Sequence, residues 1–185
     1  MGKKFKKNKG FTLIELLVVI SIIGILAVIA VPALFNSIKM SKIAKLEKDV
    51  DAIKGAVILY KIENNKNPTW NKKDPIESKE FLRYIEGISQ KSPIGGDYKL
   101  YYKSKNTSPG FIKLNKIDDN GNLVTIDEDI IKPGDIYLMI ESGDSDLKIT
   151  KKQLQKLDKD LGKDRVYVSE KSLDDGDLIL FIKIL

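Results

Sequence analysis

Hydrophobic positions change their rhythm three times along this chain, and each rhythm predicts a different element. From residue 16 to residue 31 only Ser21 and Gly24 interrupt an unbroken apolar run, and no charge occurs between Glu15 and Lys39. As a helix, the block at 16–35 is about 30 Å long, the thickness of a bilayer's hydrocarbon core. Beyond it Ile43, Leu46, Val50, Ile53, Val57 and Tyr60 recur at alternating spacings of three and four, while Lys42, Lys45, Lys48, Asp49 and Lys54 take other faces. That stripe predicts one continuous helix from about residue 11 to residue 63, apolar all round in its first half and amphipathic in its second. The stripe is too short for an independent zipper, so it reads as a face packed on a sheet. Pro32 inside the helix removes one backbone hydrogen bond, and Gly24 weakens the same stretch, so a segment able to bend lies between them.

The remaining pattern is that of a sheet with two short helices. The turn-forming run 64–68 ends the long helix. Asp74 and Pro75 can start a short helix carrying Phe81, Leu82 and Ile85, closed by Gly87. Tyr98, Leu100 and Tyr102 alternate as a strand does, and the run 119–122 between apolar segments 112–117 and 123–126 is a hairpin signal. The turn 132–135 leads into a strand at 136–140. Thr150 with Gln153 forms a capping box for a helix bearing Leu154, Leu157 and Leu161 and ending at Gly162. Strand signals at 166–168 and 178–185 close the chain, the last nearly all apolar and therefore buried. The class is α+β: a long N-terminal helix packed against an antiparallel sheet.

Charge alters this picture at one place only. The formal charge of +6 comes from 32 Lys+Arg against 26 Asp+Glu, but residues 1–10 hold five lysines and no acid. Without them 27 basic residues face 26 acidic ones, so the rest of the chain has no electrostatic footprint for nucleic acid. A local patch of Lys151, Lys152 and Lys156 reads as a solvated helix face. The N-terminal excess is a topology signal that keeps this end in the cytoplasm. An ordinary secretory signal fits poorly, because the apolar block of about 20 residues exceeds the usual 7–15 and residues 30–32 offer no clean small-residue cleavage site.

Histidine and cysteine are absent from the 185 residues. That excludes thiol nucleophiles, Ser–His–Asp triads, ordinary zinc sites and disulfide staples. No constellation of the remaining acids, bases and hydroxyls suggests catalysis, and no cofactor is implied. Asp118, Asn120 and Asn122 have the wrong glycine spacing for a calcium loop and read as a hairpin turn. Asp174, Asp175 and Asp177 form an acidic turn, a weak metal candidate. Trp70 reads as an anchor for its loop in preference to an exposed contact point.

Glu15 is the residue that does not fit a plain anchor, since a carboxylate at the edge of an apolar span needs a partner or the headgroup layer. It arrives five residues after Gly10, behind a basic arm and an aromatic residue. Residues 10–15, Gly-Phe-Thr-Leu-Ile-Glu, resemble the processing motif of type IV pilins and pseudopilins, and residues 16–34, with Gly24 and Pro32, resemble their N-terminal helix. The resemblance covers roughly residues 1–60. It implies a type IV pilin fold and cleavage between Gly10 and Phe11 by a membrane prepilin peptidase, which also N-methylates Phe11. It implies further that Glu15 pairs with the new Phe11 amine of a neighbouring subunit, and that the segment between Gly24 and Pro32 stretches in filaments. The expected organisation is a leader at 1–10, a membrane and filament-core half-helix at 11–38, an amphipathic half-helix at 39–63 and a head at 64–185.

The expected function is that of a structural pilin subunit, with a pseudopilin of a secretion or DNA-uptake machine and a membrane-tethered binding domain as alternatives. Its expected partners are copies of itself and other pilins, the membrane before assembly, the peptidase and a pilus assembly platform. The location expected is a single pass with the N-terminus in the cytoplasm, then the cell surface. The missing cysteines depart from Gram-negative type IV pilins, where a disulfide commonly closes the C-terminal region, and lean towards a Gram-positive source. The resemblance extends to major pseudopilins of type II secretion, which bind calcium near the C-terminus, where Asp174, Asp175 and Asp177 lie.

Overall fold

A computed structural model describes residues 10–70, 75–102, 114–126, 131–141, 147, 149–169 and 178–185. Helix α1 runs from Leu13 to Asn64, followed by α2 (Pro75–Leu82), a 3-10 turn (Arg83–Ile85), β1 (Asp97–Tyr102), β2 (Leu114–Ile117), β3 (Leu123–Ile126), β4 (Ile136–Glu141), α3 (Lys151–Leu161), β5 (Val166–Ser169) and β6 (Ile179–Lys183). The chain divides into two compact units, Met1–Lys39 and Met40–Leu185.

In the first unit the described residues are the lead-in from Gly10 and the apolar part of α1. The hydropathy window that marks a candidate membrane span is wholly unburied within the chain. Length and composition therefore suit a bilayer or a helical partner, since none of the other described residues covers this surface. Ser21 and Ser37 donate their hydroxyls back to the carbonyls of Leu17 and Ala33, at 2.8 and 3.0 Å, which satisfies both polar side chains inside the apolar stretch. The helix is continuous through Gly24 and Pro32.

The second unit is built on a six-stranded sheet in the order β1-β4-β6-β5-β2-β3, with every pair antiparallel. The expected stripe is the core face of α1: Ile43, Leu46, Val50, Ile53, Val57 and Tyr60 are all buried, joined by Ala56. They share one hydrophobic cluster with the inward side chains of the sheet, among them Tyr98, Leu138, Ile140, Leu180 and Ile182, and with Leu154 and Leu157 of α3. Cross-strand partners alternate as the pleat requires: Leu138 faces Ile182 and Ile140 faces Leu180 towards this core. Between them Met139 faces Phe181 on the other side, where Tyr137, Tyr167, Leu114 and Ile131 form a second, smaller cluster. Central strands β4 and β6 are thus buried on both faces, the reason their sequences are almost continuously apolar.

Turn chemistry is as the sequence foretold. The Asp118 carboxylate accepts from the backbone N–H groups of Asn120 and Asn122 at 2.9 and 2.7 Å, and Gly121 adopts φ +84°, so the β2–β3 turn is a braced hairpin. Thr150 and Gln153 make both bonds of the capping box at the start of α3, and Gly162 ends that helix. Pro75 occupies the first position of α2, where its missing N–H costs nothing. Trp70 is an anchor: its ring lies 1% exposed beside Phe81 and Tyr98.

Two features differ from expectation. Helix α1 starts at Leu13, two residues later than expected, because Thr12 caps it. The outer face of its second half carries the expected charge only in part: Lys42, Lys45, Lys48 and Asp51 are exposed, but beyond them Ile58, Leu59 and Ile62 are exposed instead. Ile112, Asp74 and the acidic turn at Asp174, Asp175 and Asp177 lie outside the described residues.

Candidate functional site

Residues 10–15 are the candidate site, and Thr12 organises their geometry. Thr12 and Glu15 stand at the N-cap and third helical positions of α1, the spacing of a capping box. The Thr12 hydroxyl accepts from the Glu15 backbone N–H at 3.3 Å. In return the Thr12 N–H and hydroxyl both donate to Glu15 Oε2, at 2.9 and 2.7 Å. The carboxylate also sits in the first turn, where the aligned peptide dipoles favour negative charge. Glu15 is therefore held by its own helix start and not left as an uncompensated charge. This cap was legible as Thr-x-x-Glu ahead of an apolar run, but the processing-motif reading of the same residues passed over Thr12.

The cap also decides what lies outside the helix. Gly10 and Phe11 are non-helical and exposed, Phe11 by 81%. The peptide bond between them lies in open backbone just ahead of the first helical turn, and a side chain built at Gly10 would meet nothing. Cleavage there would convert the Phe11 amide nitrogen into a cation four residues from Glu15. Gly24 and Pro32 lie in the helical span, and a Cβ at Gly24 would also meet nothing, so no internal packing demands that glycine. At Pro32 the helix forgoes the hydrogen bond to the carbonyl of Val28.

The head holds ionisable groups, but their arrangement is structural. The Tyr98 hydroxyl donates to Asp49 at 2.9 Å, and burial together with that carboxylate pushes its ionisation far upward. Lys156 bridges α3 to α1 through Glu47 at 3.3 Å and also pairs with Asp160. Burial raises Glu47 above the usual carboxylate range, and the neighbouring Asp160 carboxylate adds to this while Lys156 opposes it. Lys163 pairs with Asp119, and Lys183 with Asp135, both at 2.9 Å. Of the three lysines read as a solvated helix face, Lys156 is thus engaged with acids. Among the described residues no group of three potential metal ligands converges.

Residues 5–31 match the prokaryotic N-terminal methylation motif, and residues 37–122 match the family described as PilW, C-terminal. The type II secretion system core protein G of Klebsiella michiganensis is 34% identical over 106 residues, covering 51% of this chain and 74% of that protein. The solved structure of the major type IV pilin PilA1 from Clostridium difficile shares the fold, with a TM-score of 0.54 at 22% identity over 80% of this chain and 98% of that one. The chain belongs to the type IV pilin and pseudopilin family. Members of this family are structural proteins and not enzymes; they form filaments with other pilins and are processed by a prepilin peptidase. The exposed apolar helix and the processing motif are consistent with membrane anchoring followed by assembly.

Proposed function

We propose that this chain is a pilin subunit that is cut between Gly10 and Phe11, N-methylated on Phe11 and polymerised into a type IV pilus. The observation that carries the reading is the combination of a carboxylate preset at the helix start with an apolar half-helix that none of the other described residues covers. Before the cut, Thr12 is the partner of Glu15 among the described residues, and the Phe11 nitrogen bears no charge. After it, the Phe11 amine of one subunit and Glu15 of a neighbour attract strongly in a low-dielectric layer, and leaving either alone is costly. The pair fixes the axial register between parallel rods, and cleavage is the switch that permits assembly. Helix packing in the membrane then rests on van der Waals contact, with burial from water added once subunits leave the bilayer.

The partners in this reading are copies of the chain and other pilins, the membrane before assembly, the prepilin peptidase and the assembly platform. The N-terminus lies in the cytoplasm during the single-pass stage, and the head ends at the cell surface. Gly24 and Pro32 bound the segment that stretches as the helix packs. Kinship with a secretion-system core protein supports a second reading, a pseudopilin of a secretion or DNA-uptake machine. Electron microscopy of sheared cells expressing wild type or Glu15→Ala tests the proposal. Abundant surface filaments from wild type and their loss in the variant are expected. Normal filaments from Glu15→Ala would overturn the pairing, and wild-type filaments found only when the chain is overproduced would favour the pseudopilin.

A further inference from the structure

Three exposed lysines of α1, Lys42, Lys45 and Lys48, follow Ile38, where the first run of exposed apolar side chains ends. By helix rise they lie about 6, 10 and 15 Å further along. Each has the next at a spacing of three, where like charges repel. The acids of the same stretch do not relieve them. Asp49 accepts from the Tyr98 hydroxyl at 2.9 Å, and Glu47 pairs with Lys156 at 3.3 Å, so both turn to the head. Asp51 is exposed, but no ion pair joins it to these lysines among the described residues. In a single pass with the N-terminus in the cytoplasm, the three also stand on the side that charge bias disfavours for lysine. Lysines that repel one another and oppose the topology signal need an anionic partner.

We propose that Lys42, Lys45 and Lys48 form a docking surface for the anionic headgroups of phospholipids in the leaflet facing away from the cytoplasm, a contact that fixes the depth of the unassembled chain in the bilayer. The inference rests on the single-pass membrane stage of the reading above and adds what holds the chain at that stage. Charge and continuity with the apolar span set the occupant. Lys42 stands 27 residues after Glu15. That separation is about 40 Å of helix, the thickness of a bilayer with both headgroup layers included. Glu15 and Lys42 therefore mark the two edges of one membrane. Lys45 and Lys48 lie beyond, but long lysine stems lean back towards an interface, and a charged surface is felt over a screening length of about 8 Å. Basic residues next to a span are drawn to anionic lipid in this way. With the depth fixed at this end, the bond between Gly10 and Phe11 is kept at the opposite face, where a membrane peptidase meets it. Lys151, Lys152 and Lys159 of α3 are also exposed but do not adjoin the span in sequence, so they provide an internal control.

Native mass spectrometry tests the assignment on the chain co-produced with a prepilin peptidase, purified from membranes in detergent and titrated with phosphatidylglycerol or phosphatidylcholine. Wild type is expected to retain phosphatidylglycerol in preference to phosphatidylcholine. Lys42→Gln, Lys45→Gln and Lys48→Gln combined are expected to lower that preference at least tenfold, with the melting temperature of the head unchanged. Lys151→Gln, Lys152→Gln and Lys159→Gln combined are expected to leave it as in wild type. A preference that survives the α1 triple variant would overturn the inference. So would an equal loss in the α3 triple variant, which would mean attraction to overall charge. Loss of surface filaments in the α1 variant with lipid preference unchanged would assign these lysines to a contact between subunits instead. Recovery of wild type from the soluble fraction and not from membranes sinks the membrane stage itself, a result distinct from these.

Discussion

Two isoleucines nine residues apart on α1 provide a controlled comparison of the two faces. Ile53 is fully buried against the sheet, whereas Ile62 is 73% exposed on the outward facet. Replacing either by alanine removes the same atoms and improves intrinsic helix propensity by the same few tenths of a kcal/mol. At Ile53 the change also loses the transfer free energy of the buried side chain and leaves a cavity in the main hydrophobic cluster, costing about 2–5 kcal/mol. For a unit of this size, that corresponds to a fall in melting temperature of roughly 5–15 °C. At Ile62 little area returns to water, and the expected change is within about 0.5 kcal/mol, or a degree or two. The assay is thermal unfolding of the detergent-solubilised full chain followed by near-ultraviolet circular dichroism, which reads the buried aromatic side chains. Equal destabilisation by the two substitutions would refute the assignment of faces on α1. So would a loss of less than a degree at Ile53.

Two other substitutions probe the head. Gly96 has φ +76°, and a Cβ there would lie 2.7 Å from the carbonyl oxygen of Glu141; Gly96→Ala should cost more than about 1 kcal/mol, seen as a lower melting temperature. Glu47 binds its proton more tightly in the folded state because it is partly buried beside Asp160. Its contribution is fully present below the ordinary glutamate value of about 4.3 and is lost as pH rises through the elevated folded value. Glu47→Gln should flatten the decline in stability across that window, measured by denaturant unfolding at a series of pH values.

The helical period exposed the core stripe of α1 residue by residue, because burial against one sheet imposes spacings of three and four that any apolar count detects. Local devices were equally legible: the braced turn at Asp118, the capping box at Thr150 and the anchor role of Trp70 each depend on residues close in sequence or on one bulky side chain. The exposed apolar positions of its last turns were not, since a single stripe leaves every remaining position to water, and Ile58, Leu59 and Ile62 sit among the stripe residues Val57 and Tyr60 in sequence. Strand order was also hidden. β4 pairs with β6 across the whole of α3 and β5, and nothing local encodes a pairing of that range. At the N-terminus the carboxylate of Glu15 was conspicuous for its cost in an apolar setting, whereas its holder, Thr12, is an inconspicuous residue whose role shows only when the helix start is placed.

Mass analysis of the N-terminal peptide from sheared surface filaments tests the central claim most directly. The account predicts a chain that begins at Phe11 with one added methyl group on its α-nitrogen. A surface protein that retains residues 1–10, or begins at any other position, would contradict it.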